Sequence, residues 1–543
     1  MRAIVHVAGV TALRGSYAYY DEDLCASATL VPLARRYDAV LIPLLPHSLV
    51  TELDLDLEDF EGLTEEFLSR TELKGLDVRP RVVQVRGSFL YRGGLVRFEG
   101  SPVHTFTTVY HELKKIGDLR EVLVDLSQGW NYLTVAAFLG ATAFGEVYGT
   151  EVTPLTYEPF NTQATKTCNK RMEQRKPIKR LEEEKKTPLK LIELYELDDL
   201  ERLIRSIAHF SSVEIRPKDL ELAWRIFNRE WGDETVFKPL ANLRRVSCAL
   251  RTNVIPYLHY SLKELHDSVN DPKFEELLSE YEGKVSSNYY VSFYRQGGVI
   301  RYKGVPSSYA LLDATLQAYR QIWEELGEFM GEEWFPLKLV DRVMSYYRRR
   351  RMHINEYFLM NEFRYEKDFK RASSVMESLE KLIGDNRMIG TAVGYLAPFY
   401  YALKAGNFEE RPLYKAKAYS YFMVRKPKRS YYDQQLVNYL KDVLSGNVQL
   451  VGRMGEMLEY AFKIMRGEEV ERERIVDLIR NLVAHAGIQH FSVRSLYPIY
   501  REGKVEDLKV YYYRELFEAL DSIANVEVPH AGCLCDNLLN GPH

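Results

Sequence analysis

The chain has 543 residues, of which 46% are hydrophobic and 28% charged, and its formal net charge at pH 7 is -4. This length exceeds one ordinary hydrophobic core, so we expect two or three domains, and the composition excludes an intrinsically disordered protein. The small net charge excludes a protein that coats nucleic acid through bulk charge, so nucleic-acid contacts must come from local basic patches.

The N-terminal third alternates strand-like and helix-like segments. It starts in a strand-like run, Met1–Val7, without a charged leader, and no apolar run reaches membrane-spanning length. We therefore expect a cytoplasmic protein without a membrane partner. Strands are predicted at Ala3–Ala8, Ala39–Leu45 and Glu121–Asp125, and helices at Leu24–Tyr37 and Ser101–Ile116. This alternation predicts an α/β domain with crossover helices.

Glycine and polar residues follow the first and the last of these strands. Because the carboxyl ends of parallel strands meet at one edge of a sheet, we expect both loops there, facing a phosphate or ribose. No G-x-G-x-x-G or P-loop spacing occurs, which disfavours an ordinary dinucleotide or NTP site. The predicted binding residues are Gly9, Val10, Thr11, Arg14, Ser16, Ser127, Gln128, Gly129 and Asn131.

The segment Val122–Leu133 resembles the D-L-T-H-G-x-N motif of the CARF sensor domain. In that family the domain is Rossmann-like, dimerises and binds cyclic oligoadenylates. The resemblance implies a homodimer or higher oligomer with cyclic tetra-adenylate as the expected activator. Ser127 and Gln128 replace the threonine and histidine of the motif, so it does not imply degradation of the messenger.

Two glycine-turn hairpins share a sequence pattern. Arg81–Gly100 alternates apolar and polar residues around Gly93-Gly94, and Ser292–Gly304 repeats the pattern of Ser88–Gly100. We attribute the similarity to chance. A shared role in dimer or interdomain contact is the alternative.

From about Leu200 onward, apolar residues recur at steps of three and four, which predicts a mostly helical C-terminal half. Before it, the basic run Lys166–Lys186 indicates a solvated insertion, with a lid over an anionic ligand as the alternative. The predicted helices are Leu311–Met330, Leu337–Tyr347, Ala372–Ile383, Met454–Met465 and Glu471–Ala486.

The segment Glu471–Ile488 carries the most specific pattern. Its apolar positions form one arc of a helix, and Asn481 and His485 share one flank of that arc. Arg480 lies about 140° around an ideal helix from His485. All three side chains therefore reach one phosphate only if the helix end distorts near Gly487 or a second copy contributes. These residue types suit RNA phosphodiester cleavage, and the alternative is an ordinary polar helix flank.

Arg480, Asn481 and His485 resemble the R-N-x-x-x-H motif of HEPN ribonucleases, particularly those of CRISPR-associated CARF-HEPN proteins. In that family two motifs from paired domains form one composite, metal-independent site. The resemblance implies a messenger-activated endoribonuclease that cleaves single-stranded RNA in type III CRISPR defence and requires no cofactor. It implies a CARF sensor domain over residues 1–199 with a charged insertion at about 161–188, a helical linker over 200–265 and a HEPN domain over 266–543.

Two basic runs contain tyrosines, Tyr346–Arg351 and Arg425–Tyr432. Cations beside aromatic rings suit single-stranded RNA, and solvated helix ends are the alternative. The rival function is a ligand-responsive regulator that binds nucleic acid without cutting it. This rival leaves the Arg-Asn-x-x-x-His pattern unused.

Five cysteines in so long a chain do not predict a disulfide framework, which fits a reducing compartment. The tail can in principle bind a metal through His530, Cys533, Cys535 and His543. Because this spacing matches no strong zinc pattern, we predict a disordered or merely packed tail and no metal site.

Overall fold

The computed structural model describes residues 1–9, 18–21, 24–26, 37–71, 73, 75–126, 131–155, 195–329, 333–336, 338–362, 453–484, 486–487, 491–501, 504–524 and 532–539. Contacts group the chain into two units. The first unit comprises Met1–Ser212, Leu222–Val236 and Pro272–Gln317. The second comprises Val213–Glu221, Phe237–Asp271 and Ala318–His543.

The regular elements are named in chain order. The strands are β1 (Arg2–Val7), β2 (Ala18–Asp21), β3 (Leu24–Ala26), β4 (Val40–Pro46), β5 (Arg81–Val83), β6 (Arg86–Tyr91), β7 (Gly94–Glu99), β8 (Glu121–Asp125), β9 (Glu151–Leu155), β10 (Phe293–Gln296), β11 (Val299–Tyr302), β12 (Trp334–Pro336), β13 (Val493–Arg501) and β14 (Lys504–Tyr512). The α-helices are α1 (Leu49–Glu52), α2 (Phe60–Arg70), α3 (Pro102–Ile116), α4 (Asn131–Tyr148), α5 (Tyr195–Ser211), α6 (Pro217–Glu230), α7 (Lys238–Thr252), α8 (Ile255–Val269), α9 (Pro272–Ser286), α10 (Tyr309–Leu326), α11 (Leu339–Arg349), α12 (His353–Glu362), α13 (Arg453–Met465), α14 (Arg472–Ala484), α15 (Arg514–Ile523) and α16 (Leu534–Leu539). None of these described helices combines the length and the apolar character needed to cross a bilayer.

The first unit is built on a parallel sheet with the strand order β5-β4-β1-β8-β9. β1, β4 and β8 are almost entirely buried, as their continuous apolar runs require. When the five strands of this sheet are numbered 1 to 5 by their order along the chain, their order in the sheet is 3-2-1-4-5. This is a doubly wound arrangement whose strand order reverses between β1 and β8. The predicted α/β class and the three predicted strands are confirmed.

Helices α3 and α4 pack against this sheet and against each other. The Ser101 side chain accepts a hydrogen bond from the Val103 N–H and starts α3, and Gly117 ends it with φ 69°. A Cβ at Gly140 of α4 would lie 2.5 Å from the Phe106 carbonyl oxygen of α3. Glycine therefore permits the close approach of the two helices.

The predicted helix Leu24–Tyr37 is wrong at its start. Leu24–Ala26 is strand β3, which pairs antiparallel with β2. Pairing with a neighbouring strand overrides local helical periodicity here. Residues 27–36 lie outside the described part of the chain.

The two similar hairpins join one four-stranded sheet of the order β10-β11-β7-β6. Both predicted hairpins are present, but the first begins at Arg86, because Arg81–Val83 is strand β5 of the parallel sheet. The second strands of the two hairpins pair in parallel, with Phe98 opposite Ile300. The first turn is centred on Arg92-Gly93 rather than Gly93-Gly94, because Tyr91 pairs with Gly94. Arg92 and Gly93 have φ of 46° and 80°, as a type I′ turn requires.

The C-terminal half contains four of the predicted helices, as α10, α11, α13 and α14, with small shifts at their ends. The predicted helix Ala372–Ile383 lies outside the described residues. The second unit also contains an antiparallel sheet of the order β12-β14-β13, which periodicity did not predict. Pro498 argues against a strand interior, yet β13 is an edge strand, where proline is tolerated.

Candidate functional sites

The first candidate site is the edge of the parallel sheet where β1 and β8 end. His6 lies opposite Asp125, with 2.8 Å between His6 Nδ1 and Asp125 Oδ2, and both side chains are fully buried. The pair ties the two strand ends together at the point where the strand order reverses. Ligands of doubly wound sheets bind in the crevice at such a point.

Two of the predicted binding residues are described. Gly9 is half-buried and follows the end of β1, and Asn131 is the exposed first residue of α4. The other predicted binding residues lie outside the described part of the chain: Val10, Thr11, Arg14, Ser16, Ser127, Gln128 and Gly129. The strand ends that precede both predicted loops are therefore adjacent, as expected.

The pairing of His6 with Asp125 was not predicted. A lone histidine within an apolar strand carries no functional signal, and its partner lies 119 residues away. The sequence feature that could have indicated the pair is the aspartate at the end of β8, the strand that enters the CARF-like segment Val122–Leu133. Parallel register then brings that aspartate opposite His6.

A further buried histidine, His47, follows β4. Its Nε2 donates to the Leu57 carbonyl oxygen at 2.7 Å, and its Nδ1 accepts from the Tyr302 hydroxyl at 2.9 Å. Burial lowers the pKa of His47 to about 4, opposed by the hydrogen bond to Leu57. His47 is therefore a neutral packing residue that joins the end of β4 to β11.

Because His47 is buried in its neutral form, we expect the free energy of unfolding to fall in acid. Its folded pKa is about 4 and the ordinary histidine pKa is 6.5, so its stabilisation is present above pH 6.5 and lost as the pH falls towards 4. His47→Gln should therefore reduce proton uptake on unfolding within that window by about one proton. Denaturant titrations at a series of pH values measure this proton uptake as the slope of the free energy of unfolding against pH. Above pH 7.5 the slopes of the two proteins should agree, which is the internal control. An unchanged uptake would contradict a neutral buried imidazole.

The second candidate site lies on α14 in the second unit. The predicted apolar arc is confirmed, since Ile475, Leu478, Ile479 and Leu482 are buried and Val483 is half-buried. These side chains fix which face of the helix packs against the rest of the unit. Arg480 and Asn481 consequently lie away from the centre of that face.

Arg480 and Asn481 differ in their surroundings. The Arg480 side chain is 70% exposed, and its Nη1 lies 3.7 Å from Asp477 Oδ1, an exposed pair that holds the guanidinium weakly. The half-buried Asn481 amide donates to the Asp477 carbonyl oxygen at 2.8 Å and lies 4.0 Å from Met457 Sδ. Arg480 is therefore accessible to a phosphate, whereas Asn481 is held against its own helix.

Helix α14 ends at Ala484, two residues earlier than predicted. Ala486 and Gly487 have left-handed backbones, with φ of 54° and 73°, and the Gly487 N–H donates to the Leu482 carbonyl oxygen at 2.7 Å. The helix therefore ends in a left-handed turn at Ala486 and Gly487, and convergence of the three motif residues stays a prediction. His485 itself lies outside the described residues, and contribution by a second copy stays a prediction.

The turn after α14 is anchored to the start of α8. The Ile255 N–H donates to the Ala486 carbonyl oxygen at 2.9 Å. A Cβ at Gly487 would lie 2.5 Å from Val254 Cγ1 and 2.9 Å from Pro256 Cδ. Glycine is therefore required there for space as well as for φ.

Gly487→Ala should lower the free energy of unfolding by about 2–4 kcal/mol, since it combines a left-handed φ with overpacking. Gly467→Ala is the matched control, because Gly467 has φ of 69° but no atom within 4 Å of an added Cβ. We expect about 1 kcal/mol for the control. Urea denaturation measures both, and equal losses would show that the close contact with α8 does not matter.

The tyrosines of the first basic run are not available to stack on bases. Tyr346 is 2% exposed and Tyr347 is 0% exposed, so the stacking prediction is wrong for this run. Arg348 and Arg349 pair with carboxylates at 2.9 and 2.6 Å. The second run, Arg425–Tyr432, lies outside the described residues.

No protein-family model matches this chain, and a comparison with curated proteins finds no match. The CARF and HEPN likenesses therefore remain resemblances of short motifs.

Proposed function

We propose that this chain is a CARF-HEPN endoribonuclease that cleaves single-stranded RNA when a cyclic oligoadenylate binds its α/β unit, as part of type III CRISPR defence. The main support for the proposal is the exposure of Arg480, the arginine of the Arg-Asn-x-x-x-His pattern. Arg480 is 70% exposed on a helix whose apolar arc is buried. An ordinary amphipathic helix explains exposure but does not require this order of residues.

The motif supplies the groups that cleavage needs. The His485 imidazole takes the proton of the ribose 2′-hydroxyl, and the 2′-oxygen attacks phosphorus. The bond to the 5′-oxygen breaks, and that oxygen receives a proton from the histidine of the paired motif. The Arg480 guanidinium stabilises the added negative charge, and Asn481 orients its neighbours. The products carry a 2′,3′-cyclic phosphate and a 5′-hydroxyl.

The sheet edge supports a ligand site in the first unit. The strand order reverses between β1 and β8, and both predicted binding loops follow these strands. A cyclic tetra-adenylate has two-fold symmetry, which matches a homodimer of such edges. Its binding raises the population of the arrangement in which two Arg480/His485 pairs meet.

Labelled single-stranded RNA incubated with the protein and EDTA, with and without cyclic tetra- or hexa-adenylate, tests the proposal. We expect cleavage only with one of the messengers, with 2′,3′-cyclic phosphate ends. RNA that is retarded but uncut would favour the regulator that binds without cutting. Equal cleavage without a messenger would refute the gating, and inhibition by EDTA would refute the metal-independent mechanism.

A further inference from the structure

Three cysteines from distant parts of the sequence converge in the second unit. Cys248 lies on α7, and Cys533 and Cys535 lie at the start of α16. Their three Sγ atoms are all within 4.8 Å of one another. Cys248 and Cys535 form a disulfide, 287 residues apart in sequence, and Cys533 is a free, buried thiol.

Hydrogen bonds and an ion pair fix the position of the loop that carries Cys533 and Cys535. The Cys535 backbone N–H points at Cys248 Sγ, 3.0 Å away, the kind of hydrogen bond that supports a metal-bound sulfur. The Cys533 N–H donates to Asp536 Oδ2 at 3.0 Å, and Asp536 pairs with Arg244. This loop is therefore held in place by groups outside the three sulfurs, as a preorganised ligand loop requires.

The reduced, metal-bound cluster would lie beside two buried ion pairs. Three thiolates around a divalent ion carry a net charge of -1, which is costly to bury without a compensating cation. Arg244 and Arg245 are both close by, with side chains 3% and 14% exposed, and they pair with Asp536 and Asp521. Each guanidinium is matched by a carboxylate, so the charge of -1 is left to be stabilised by backbone N–H groups and by water at the half-buried Cys535.

We propose that Cys248, Cys533 and Cys535 bind one zinc ion when the disulfide is reduced. A Zn–S distance of about 2.3 Å places tetrahedral ligand sulfurs about 3.8 Å apart, which the observed cluster reaches with small shifts. Thiolates favour zinc over magnesium or calcium. Asp536 is engaged by Arg244 and Cys533, so water is the expected fourth ligand.

Reduction of the disulfide by a phosphine frees the two thiols that the zinc ion needs. A phosphine reductant takes oxygen from one water to become a phosphine oxide, and its two electrons and the two protons convert the disulfide into two thiols. Zinc then displaces three thiol protons, leaving a complex of charge -1 and releasing three protons to solvent. The proposal is independent of the ribonuclease function.

Cobalt(II) and zinc titrations of the full chain, reduced with a phosphine and kept anaerobic, test the site. We expect about one cobalt ion per chain with a thiolate-to-cobalt charge-transfer band that zinc abolishes, and no such band in the unreduced protein. Zinc should also raise the Tm of the reduced wild-type protein. Absence of the band, or a Tm that zinc does not change, would overturn the proposal on wild-type protein alone.

Variants locate the ligands. Cys533→Ser leaves the disulfide pair intact and should weaken cobalt binding by about 10-fold or more. Cys168→Ser, which removes a cysteine of the charged run, is the control and should bind as wild type. Cys535→Ser serves as a second ligand variant if Cys533→Ser does not fold. Wild-type affinity in both ligand variants would rule out the three-cysteine site.

Discussion

His485→Ala is expected to lower the rate of messenger-activated RNA cleavage by at least about 100-fold. General acid and base catalysis by a positioned imidazole contributes about 10² to 10⁴-fold, and alanine cannot transfer a proton. Affinity for the cyclic oligoadenylate should change by less than about twofold, because the messenger is expected at the sheet edge of the first unit. Single-turnover cleavage and equilibrium binding of labelled messenger measure the two quantities.

His353→Ala is the matched control for this prediction. The His353 side chain is 73% exposed on α12, and its Nδ1 lies 3.9 Å from Glu356 Oε2. Removing this imidazole should leave the cleavage rate unchanged. Full activity in His485→Ala would remove His485 from the mechanism, and a parallel loss in both variants would point to misfolding rather than to chemistry.

Asp536→Ala is expected to destabilise the second unit by about 3–5 kcal/mol. Asp536 pairs with Arg244, and the two side chains are 4% and 3% exposed. Removing one partner leaves a buried guanidinium without its countercharge, and it also removes the acceptor of the Cys533 N–H. Denaturant-induced unfolding followed by far-ultraviolet circular dichroism measures the loss.

Two controls test whether the loss of stability in Asp536→Ala comes from the burial of the ion pair and from the unpaired charge of Arg244. Glu518→Ala breaks an exposed pair with Arg514, in which the side chains are 46% and 48% exposed, and should cost less than about 1 kcal/mol. The double variant Arg244→Met with Asp536→Leu removes both charges and should be more stable than Asp536→Ala alone. A loss in Asp536→Ala no larger than that in Glu518→Ala would contradict a buried ion pair.

Local sequence determined several elements of this protein. The continuous apolar runs of β1, β4 and β8 predicted buried strands, and Ser101 marked the start of α3. The apolar period of three and four residues predicted the buried arc of α14. Each of these features depends on hydrophobic period or capping within one segment, so neighbouring residues suffice to encode it.

Only the tertiary structure decided which segments meet. Strand order put His6 beside Asp125, 119 residues away, and α7 met the C-terminal tail so that Cys248 joined Cys535 across 287 residues. Leu24–Ala26 became a strand, because a pairing partner was present. Such contacts form between segments that are far apart in sequence and depend on the free energy of the whole fold. No local period or capping pattern can therefore encode them.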